Sequence, residues 1–289
     1  MNTDTRDGRA GGTWPAPAKL NLFLHIVGRR ADGYHLLQTA IQFIDVCDEL
    51  SLAVNEDGGI RCTDADNGMP RGDDLTVRAA RLLQRECRMQ KGVDIRLRKV
   101  IPTGAGFGGG SSDAATVLLA LNRLWDCGLD VRALEAIAVQ LGADVPVFVR
   151  GEACWVEGIG EQLQAMDFPE PWYVAVFPRV HLDTRKMFSE QDLTRDCAPI
   201  SAHDFTLART QNVFEPIARQ HADVERAWQW LSQHSRVRLT GSGSGLFAPC
   251  ESLHQAQAIA ADCPAEFTAF VTKGMNRSPV YSLCEYNRV

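Results

Sequence analysis

Residues 102–112 read Pro-Thr-Gly-Ala-Gly-Phe-Gly-Gly-Gly-Ser-Ser, with five glycines among the seven residues from Gly104 to Gly110. A loop of this kind lets backbone N–H groups approach a ligand without obstruction from a Cβ atom. A predicted strand over 93–97 precedes the loop, and a predicted helix capped by Ser111 or Ser112 follows it. Because a helix N-terminus favours negative charge, the segment predicts a phosphate-binding loop, not a flexible hinge.

Three known types of phosphate-binding loop fit these glycines poorly. A Walker loop requires a lysine that this segment lacks. Gly104, Gly106 and Gly109 match the dinucleotide pattern Gly-x-Gly-x-x-Gly, but a second predicted helix follows where that fold needs a strand. A protein kinase requires His-Arg-Asp and Asp-Phe-Gly, and the sequence has neither. A dehydrogenase and a protein kinase are therefore poor explanations of the loop.

The composition narrows the classes of function. The 289 residues carry a formal net charge of -6, which argues against sequence-independent nucleic-acid binding. The nine cysteines form no Cys-x-x-Cys pair, which favours reduced thiols over disulfides or structural zinc. No apolar run is long enough for a signal peptide or a membrane span. We therefore expect a cytoplasmic protein, a monomer or weak homodimer, with no nucleic-acid or membrane partner and a disordered tail over 1–13.

Hydrophobic periodicity predicts an α/β (α+β) protein with two domains, 14–160 and 161–289. In the first domain, residues 19–27 alternate as a half-buried strand, with Lys19 and Asn21 together on the face away from the main apolar row. Asp73 or Asp74 is expected to cap the next helix, and Gly142 is expected to end a later one. Further strands are predicted over 40–44, 49–54 and 60–63.

The predicted second domain has an α-β-β-α-β series. Its elements are a helix over 223–232, strands over 237–240 and 246–248, a helix over 253–261 and a strand over 267–271. A further strand over 172–177 precedes them. This order is typical of a ferredoxin-like α/β sandwich.

Four segments, in this order, carry a resemblance to a known family. They are Pro15-Ala-Pro-Ala-Lys-Leu-Asn-Leu, the loop with its helix start over 102–115, Gly142-Ala-Asp-Val-Pro-Val-Phe148 and Leu239-Thr-Gly-Ser-Gly-Ser-Gly-Leu-Phe. Together they resemble the GHMP kinases, the superfamily of galactokinase, homoserine kinase and mevalonate kinase. The resemblance implies a two-domain fold with an N-terminal ATP-binding domain and a C-terminal substrate-side domain. Phe107, where leucine is usual, and Ser244-Gly245 depart from the common pattern.

The resemblance also implies that ATP is the phosphate donor, bound with Mg²⁺. Ser111 or Ser112 is a candidate Mg²⁺ ligand, and no protein metal site is assigned, because Mg²⁺ on ATP keeps most of its waters. The expected ATP-binding residues are Pro102, Thr103, Gly104, Ala105, Gly106, Phe107, Gly108, Gly109, Gly110, Ser111 and Ser112.

Two residues match the catalytic positions of the family. Asp144 matches the aspartate that takes the proton of the acceptor hydroxyl. It could instead be a capping or turn aspartate, because aspartate is common in turns before an X-Pro unit. Pro146 biases this turn toward extended geometry. Lys19 could keep that carboxylate ionised and favour the incipient alkoxide, or it could be a solvated strand-edge lysine. Asn21 could bond the pair or the substrate, or be a satisfied polar residue.

The segment Arg30-Ala-Asp-Gly-Tyr-His-Leu-Leu-Gln-Thr39 resembles those GHMP kinases that act on a cytidine diphosphate-linked methylerythritol. Tyr34 and His35 match the cytidine-recognition pair and Phe188 matches a second stacking aromatic, although each could instead pack structurally. The resemblance implies transfer of the γ-phosphate to the 2-hydroxyl of that small molecule, in the non-mevalonate route to isoprenoid precursors. A kinase of homoserine or a mevalonate derivative, or a non-catalytic nucleotide sensor, is the alternative.

Overall fold

The computed structural model describes residues 12–66, 68, 72 and 74–284. Most of the predicted disordered tail, residues 1–11, and the candidate cap Asp73 lie outside the described residues. The first strand begins at Thr13, so Thr13 belongs to the sheet and not to the tail. Among the described helices, none is long and apolar enough to cross a membrane.

The first half of the chain forms a mixed sheet that is packed against helices. Its strands are β1 (Thr13–Arg29), β2 (His35–Asn55), β3 (Ile60–Asp64), β4 (Gly92–Arg98), β5 (Cys154–Gly158) and β6 (Gln162–Ala165). Its helices are α1 (Leu75–Glu86), α2 (Gly109–Leu124), α3 (Val131–Ala138) and α4 (Val145–Arg150). The long β2 pairs antiparallel with β1, β4 and β5, while β3 and β4 are parallel.

The second half forms an antiparallel sheet in the order β10-β7-β9-β8. The strands are β7 (Trp172–Phe177), β8 (Arg238–Leu239), β9 (Leu246–Cys250) and β10 (Thr268–Met275). The helices are α5 (Thr184–Ser189), α6 (Glu215–Ala218), α7 (Ala222–Ser232), α8 (Leu253–Ala261) and α9 (Tyr281–Cys284), with a 3₁₀ turn at Ala202–Asp204. The series α7-β8-β9-α8-β10 confirms the predicted ferredoxin-like order.

The two sheets are continuous, because β10 pairs with β2 at Gly274↔Ile44 as well as with β7. A hydrophobic core lies at the junction of the two halves and includes the fully buried Phe23 and Phe247. Past the predicted boundary at residue 160, β6 still pairs with β5. The division of the chain at that residue stays a prediction.

Burial corrects the prediction for β1. The alternating pattern predicted a half-buried strand, but Lys19, Asn21 and His25 on its polar face are all buried. The second half of the chain lies along the outer edge of β1, since Leu24 N donates to Gln211 O and Val213 N donates to Leu24 O. The predicted strands 40–44 and 49–54 are parts of the single strand β2.

Three helix boundaries also differ from the prediction. The N-cap of α2 is Gly108, with a φ of 76°. It lies three residues before Ser111, the first of the two serines that were predicted to cap this helix. The helix α3 ends at Ala138 with Val139 as its C-cap, so Gly142 does not cap it. The segment after Asp144 is the helix α4 and not an extended turn, because a proline is tolerated in the first turn of a helix. The predicted cap at Asp74 is confirmed, as its side chain accepts from Thr76 N at 2.9 Å.

Candidate active site

A cleft of about 750 Å³ lies at the junction of the two halves. This volume is in the range of small-molecule binding sites. The cleft brings together most of the predicted site residues, namely Lys19, Asn21, Tyr34, His35, Pro102, Thr103, Gly104, Gly106, Gly108, Gly109, Gly110, Ser111, Asp144 and Phe188. Ala105, Phe107 and Ser112 are buried and do not line it, so any contact of theirs with ATP would come through the backbone.

The glycine-rich loop is held between β1 and the loop that joins β8 to β9. Phe107 O accepts from Lys19 N at 2.9 Å, and Ala105 O accepts from Gly245 N at 2.9 Å. The Thr240 hydroxyl donates to Gly106 O at 3.3 Å. The loop is therefore fixed on both sides. Its amides and the N-terminus of α2, where no side chain makes a cap hydrogen bond, are in place for an anion.

Gly106 cannot be replaced by alanine without strain. It has φ 80, and a Cβ atom built on it would lie 2.2 Å from the backbone oxygen of Thr240. Since a left-handed conformation costs a non-glycine residue about 1–2 kcal/mol before any clash is counted, we expect Gly106→Ala to lower the free energy of unfolding by at least that amount. Urea denaturation measures the loss.

Gly110→Ala is the matched control in the same loop. A Cβ atom there meets nothing closer than Leu75 Cδ1 at 3.7 Å, so we expect little loss of stability. Equal denaturation midpoints for the two variants would show that the loop is not held as described.

Lys19 and Asp144 face one another across the cleft. The Lys19 side chain is only 4% exposed, and its Nζ lies 3.7 Å from Asp144 Oδ2. Lys19 Nζ also donates to Asn21 Oδ1, and Asn21 Nδ2 donates to the Thr39 hydroxyl at 3.0 Å. Burial lowers the pKa of Lys19, while the charge of Asp144 opposes the shift. The prediction that Lys19 and Asn21 lie side by side is confirmed, and Lys19 lies close enough to Asp144 for the role that the family resemblance implies.

The carboxylate of Asp144 takes no part in capping a helix. Asp144 occupies the N-cap position of α4, but its side chain makes no cap hydrogen bond. The side chain is 45% exposed and lines the cleft. The carboxylate therefore remains accessible to a ligand, which favours the chemical interpretation over the capping one.

At another part of the cleft lies a group of aromatic rings. The His35 imidazole stacks on Phe188 with ring centroids 5.2 Å apart and planes at 22°. Phe188 also meets Phe214 edge-on, with centroids 4.9 Å apart. Tyr34 is 62% exposed beside them. One face of Phe188 is thus occupied by His35, an arrangement that the sequence did not predict.

His35 has an unused hydrogen-bonding atom. Its Nε2 is buried without a partner among the described residues. Burial, together with the positive charges of Arg195 and Arg29, lowers the pKa of His35. The imidazole is therefore neutral near pH 7, and its free nitrogen can bond a neutral polar group of a ligand.

Sequence reasoning missed a buried charge cluster below the glycine-rich loop. Lys99 Nζ donates to Asp113 Oδ2 at 2.7 Å and also to Asp48 Oδ2. Asp48 Oδ1 accepts from the backbone N–H of Ile101 at 2.8 Å. A Cβ atom on Gly109 would lie 3.1 Å from Lys99 Nζ. The cluster ties β2 and the end of β4 to the first turns of α2, and so supports the loop.

The cluster holds two carboxylates for one ammonium group. Burial raises the pKa of Asp113 to about 7, with Lys99 opposing the rise and Asp48 adding to it. Burial alone would lower the pKa of Lys99, but Asp113 and Asp48 outweigh it and raise that pKa. Near neutral pH, Asp113 therefore changes between its protonated and ionised forms.

We expect Asp113 to lower the free energy of unfolding as pH rises from about 4 to about 7, the range between its usual pKa of 3.8 and its raised pKa. The folded state keeps a proton on Asp113 that the unfolded chain releases, so the free energy of unfolding decreases by up to about 1.4 kcal/mol per pH unit for one proton. Asp113→Asn should flatten this dependence in urea denaturation at several pH values. Asp126→Asn, at an exposed position, is the control. Identical slopes for the wild type and Asp113→Asn would contradict the assignment.

Two further contacts border the cleft and were not predicted. His181 Nδ1 lies 3.2 Å from Gly104 O, and the hydroxyls of Thr184 and Ser242 are 2.8 Å apart. They bring the segment around α5 and the loop 241–243 to the entrance of the cleft.

Within the described part of the chain, no group of three or more His, Cys, Asp or Glu side chains is placed to hold a metal ion.

Known proteins share both the sequence and the fold of this chain. The family model of the GHMP kinases N terminal domain matches residues 74–152, and that of the GHMP kinases C terminal domain matches 193–269. The 4-diphosphocytidyl-2-C-methyl-D-erythritol kinase of Nitrosococcus oceani is 50% identical over 266 residues, which is 92% of this chain and 95% of that protein. The enzyme of the same name from Xanthomonas axonopodis pv. citri is 50% identical over 270 residues, 92% of each.

A crystal structure of 4-(cytidine 5'-diphospho)-2C-methyl-D-erythritol kinase superposes with a TM-score of 0.80 at 32% identity, covering 91% of this chain and 99% of that one. The Methanococcus jannaschii mevalonate kinase, at 11% identity and a TM-score of 0.70, shares the fold alone, over 92% of this chain and 99% of its own. The predicted two-domain kinase fold is confirmed, and the protein is an ATP-dependent small-molecule kinase. The chain belongs to the 4-diphosphocytidyl-2-C-methyl-D-erythritol kinase family of the GHMP kinases.

Proposed function

We propose that this kinase transfers the γ-phosphate of ATP to the 2-hydroxyl of 4-diphosphocytidyl-2-C-methyl-D-erythritol, giving its 2-phosphate and ADP. The reaction belongs to the non-mevalonate route to isoprenoid precursors. The observation that carries the proposal is the single cleft that joins the glycine-rich loop, the Lys19–Asp144 pair and the Tyr34–His35–Phe188 aromatic group. Relatives that are 50% identical bear the name of this activity.

ATP binding is assigned to the loop over 102–112 and the N-terminus of α2. The helix dipole alone contributes only about 0.3–1 kcal/mol, so several backbone amides must act together on the phosphates. Mg²⁺ bound together with ATP would supply positive charge against the phosphates, and the hydroxyl of Ser111 or Ser112 is the protein group that could help to hold it. Of the two serine candidates, Ser111 lines the cleft whereas Ser112 is fully buried, so Ser111 is the better placed to offer a hydroxyl oxygen.

The proposed chemistry is carried by two side chains. Asp144 accepts the proton of the 2-hydroxyl as the oxygen of that hydroxyl forms its bond to the γ-phosphorus. The bond between the γ-phosphorus and the bridging oxygen then breaks, and ADP leaves with the electron pair. The Lys19 ammonium, 3.7 Å from Asp144, keeps the carboxylate ionised beforehand and favours the negative charge that develops on the acceptor oxygen. Asn21 holds the ammonium in position through its Oδ1.

Cytosine recognition is assigned to Tyr34, His35 and Phe188. The exposed ring of Tyr34 offers a stacking face, and the unpaired Nε2 of His35 offers a hydrogen bond to the polar edge of the base. Phe188 supports the imidazole by stacking and presents its remaining surface to the ligand.

We expect the kinase to work in the cytoplasm as a monomer or weak homodimer, without a nucleic-acid or membrane partner, in keeping with its net charge of -6.

The position of the new phosphate tests the proposal. The 2-carbon of the acceptor carries a methyl group and no hydrogen, so a 2-phosphate gives a phosphorus NMR signal without three-bond coupling to a proton. A phosphate on the 1- or 3-hydroxyl would show such coupling. We expect an uncoupled monoester signal with the wild type, and the same signal growing at least about 10²-fold more slowly with Asp144→Asn. A coupled signal, or no new monoester, would refute the assignment.

A further inference from the structure

A second cavity, of about 620 Å³, shares no lining residue with the catalytic cleft. It lies among loop segments of the second half, β8 and the β1 residue His25. We call it the arginine cavity, and it is lined by His25, Thr194, Cys197, Ala198, Ala208, Arg209, Thr210, Gln211, Glu215, Arg236 and Arg238. The kinase reaction described above makes no use of it.

The arginine cavity has an excess of positive charge. Arg209, Arg236 and Arg238 line it, against the single carboxylate of Glu215. Among the ion pairs between described residues, neither Arg209 nor Arg236 has a carboxylate partner, and Arg236 bonds only the backbone oxygen of Ala208. In a chain with a net charge of -6, this is a local cationic site that attracts anions.

Arg238 is buried and only partly satisfied. It is 5% exposed, and its Nη2 donates to Leu207 O and Thr210 O, both at 2.7 Å. Its Nε has no partner among the described residues. Glu215 Oε1 lies 4.0 Å from Nη1, too far for a hydrogen bond, and it already accepts from Leu239 N. A buried guanidinium with an unused donor calls for a further acceptor.

His25 adds a second unsatisfied atom to the same cavity. Its side chain is buried, and its Nδ1 has no partner among the described residues. Its ring packs edge-on against Phe23, with centroids 5.0 Å apart, which fixes its orientation. The cavity therefore combines two buried nitrogens without partners with two exposed arginines.

We propose that the arginine cavity is a second binding site, which takes the phosphate or diphosphate group of a small molecule. The guanidinium groups of Arg209 and Arg236 can bind phosphate oxygens in a bidentate manner, and the unused Nε of Arg238 offers one further donor. The cavity volume is in the range of metabolite sites, so it has room for the body of a ligand beyond its anionic group. The alternative is that Arg238 only anchors the backbone at 207–210 and water fills the remaining space.

Calorimetric titration with inorganic pyrophosphate tests this proposal on the full chain. Since the glycine-rich loop also binds phosphates, we expect two binding events in the wild type. Arg209→Ala combined with Arg236→Ala should weaken one event at least tenfold and leave the other unchanged. Both arginines are exposed, so the variant keeps its core. Arg226→Ala, which removes an exposed arginine of α7 that pairs with Asp223 and Glu266, is the control.

A single event in the wild type, or two unchanged events in the double variant, would overturn the proposal, as would equal weakening by Arg226→Ala. Parallel titration with inorganic phosphate separates the two ligand sources. Tighter binding of pyrophosphate at the arginine-dependent event indicates a diphosphate ligand, and equal binding indicates a phosphate monoester. None of these outcomes bears on the kinase reaction, because the cavity lies outside the catalytic cleft.

Discussion

Replacing Asp144 with asparagine is expected to lower kcat by about 10²–10⁴-fold, the usual contribution of a general base. The asparagine keeps the size of the side chain but cannot accept the proton of the acceptor hydroxyl. The KM for ATP should change little, because the loop over 102–112 is held by contacts that do not involve Asp144. Steady-state ADP release at saturating acceptor measures the effect.

The stability of this variant should fall, because the change leaves the buried Lys19 ammonium without the carboxylate that lies 3.7 Å away, so kcat is measured where denaturation curves show the variant to be folded. Asp130→Asn is the matched control. Asp130 is the N-cap of α3, where its carboxylate accepts from Ala133 N at 2.8 Å, so the same chemical change there should leave kcat unaltered. A kcat near the wild-type value for Asp144→Asn would remove Asp144 from the role of base.

Lys19→Met is expected to lower kcat by about 10²–10³-fold, the cost of losing one group that stabilises developing charge. Methionine fills much of the same buried volume without the ammonium group, so the change isolates the charge. Lys273→Met, at an exposed lysine outside the cleft, is the control and should leave kcat unchanged.

Lys19 and Asp144 should also act as a unit. If the ammonium works on the same proton transfer as the carboxylate, the double variant Lys19→Met with Asp144→Asn will be little slower than the slower single variant. If the two single-variant reductions in kcat multiply in the double variant, the side chains act independently, and the proposal that Lys19 assists the proton transfer to Asp144 is wrong.

Local patterns predicted the parts of the site that depend on nearby residues. The glycines over 104–110 lie between a strand and a helix, so their role follows from backbone freedom and the helix terminus. Lys19 and Asn21 are two residues apart on one strand, which places their side chains on one face, and the structure joins them by a hydrogen bond. Proximity to Asp144 came from the family resemblance and not from spacing.

Contacts between distant segments could not be predicted. The Lys99–Asp48–Asp113 cluster joins positions that are 51 and 14 residues apart, and no local pattern marks a lysine or an aspartate as a buried partner. Alternation along β1 likewise does not reveal that the segment at 211–213 pairs with the outer edge of this strand. The stacking of His35 on Phe188 depends in the same way on how α5 packs near the start of β2.

The boundary errors have local physical causes. The helix α2 begins before its serines because Gly108 adopts a left-handed conformation at no steric cost and takes the N-cap position. The helix α4 forms because its proline stands in the first turn, where the missing N–H has no intrahelical acceptor to lose. In both cases the residue at the start of the helix, Gly108 or Pro146, is of a type that usually indicates a loop.

The central claim is tested most directly by ADP release from ATP and Mg²⁺ with three acceptors in parallel: 4-diphosphocytidyl-2-C-methyl-D-erythritol, homoserine and mevalonate. The cleft with Tyr34, His35 and Phe188 beside the Lys19–Asp144 pair predicts turnover with the cytidyl acceptor alone. Turnover with homoserine or mevalonate and none with the cytidyl acceptor would contradict the substrate assignment. No turnover with any of the three acceptors would contradict the assignment of kinase activity.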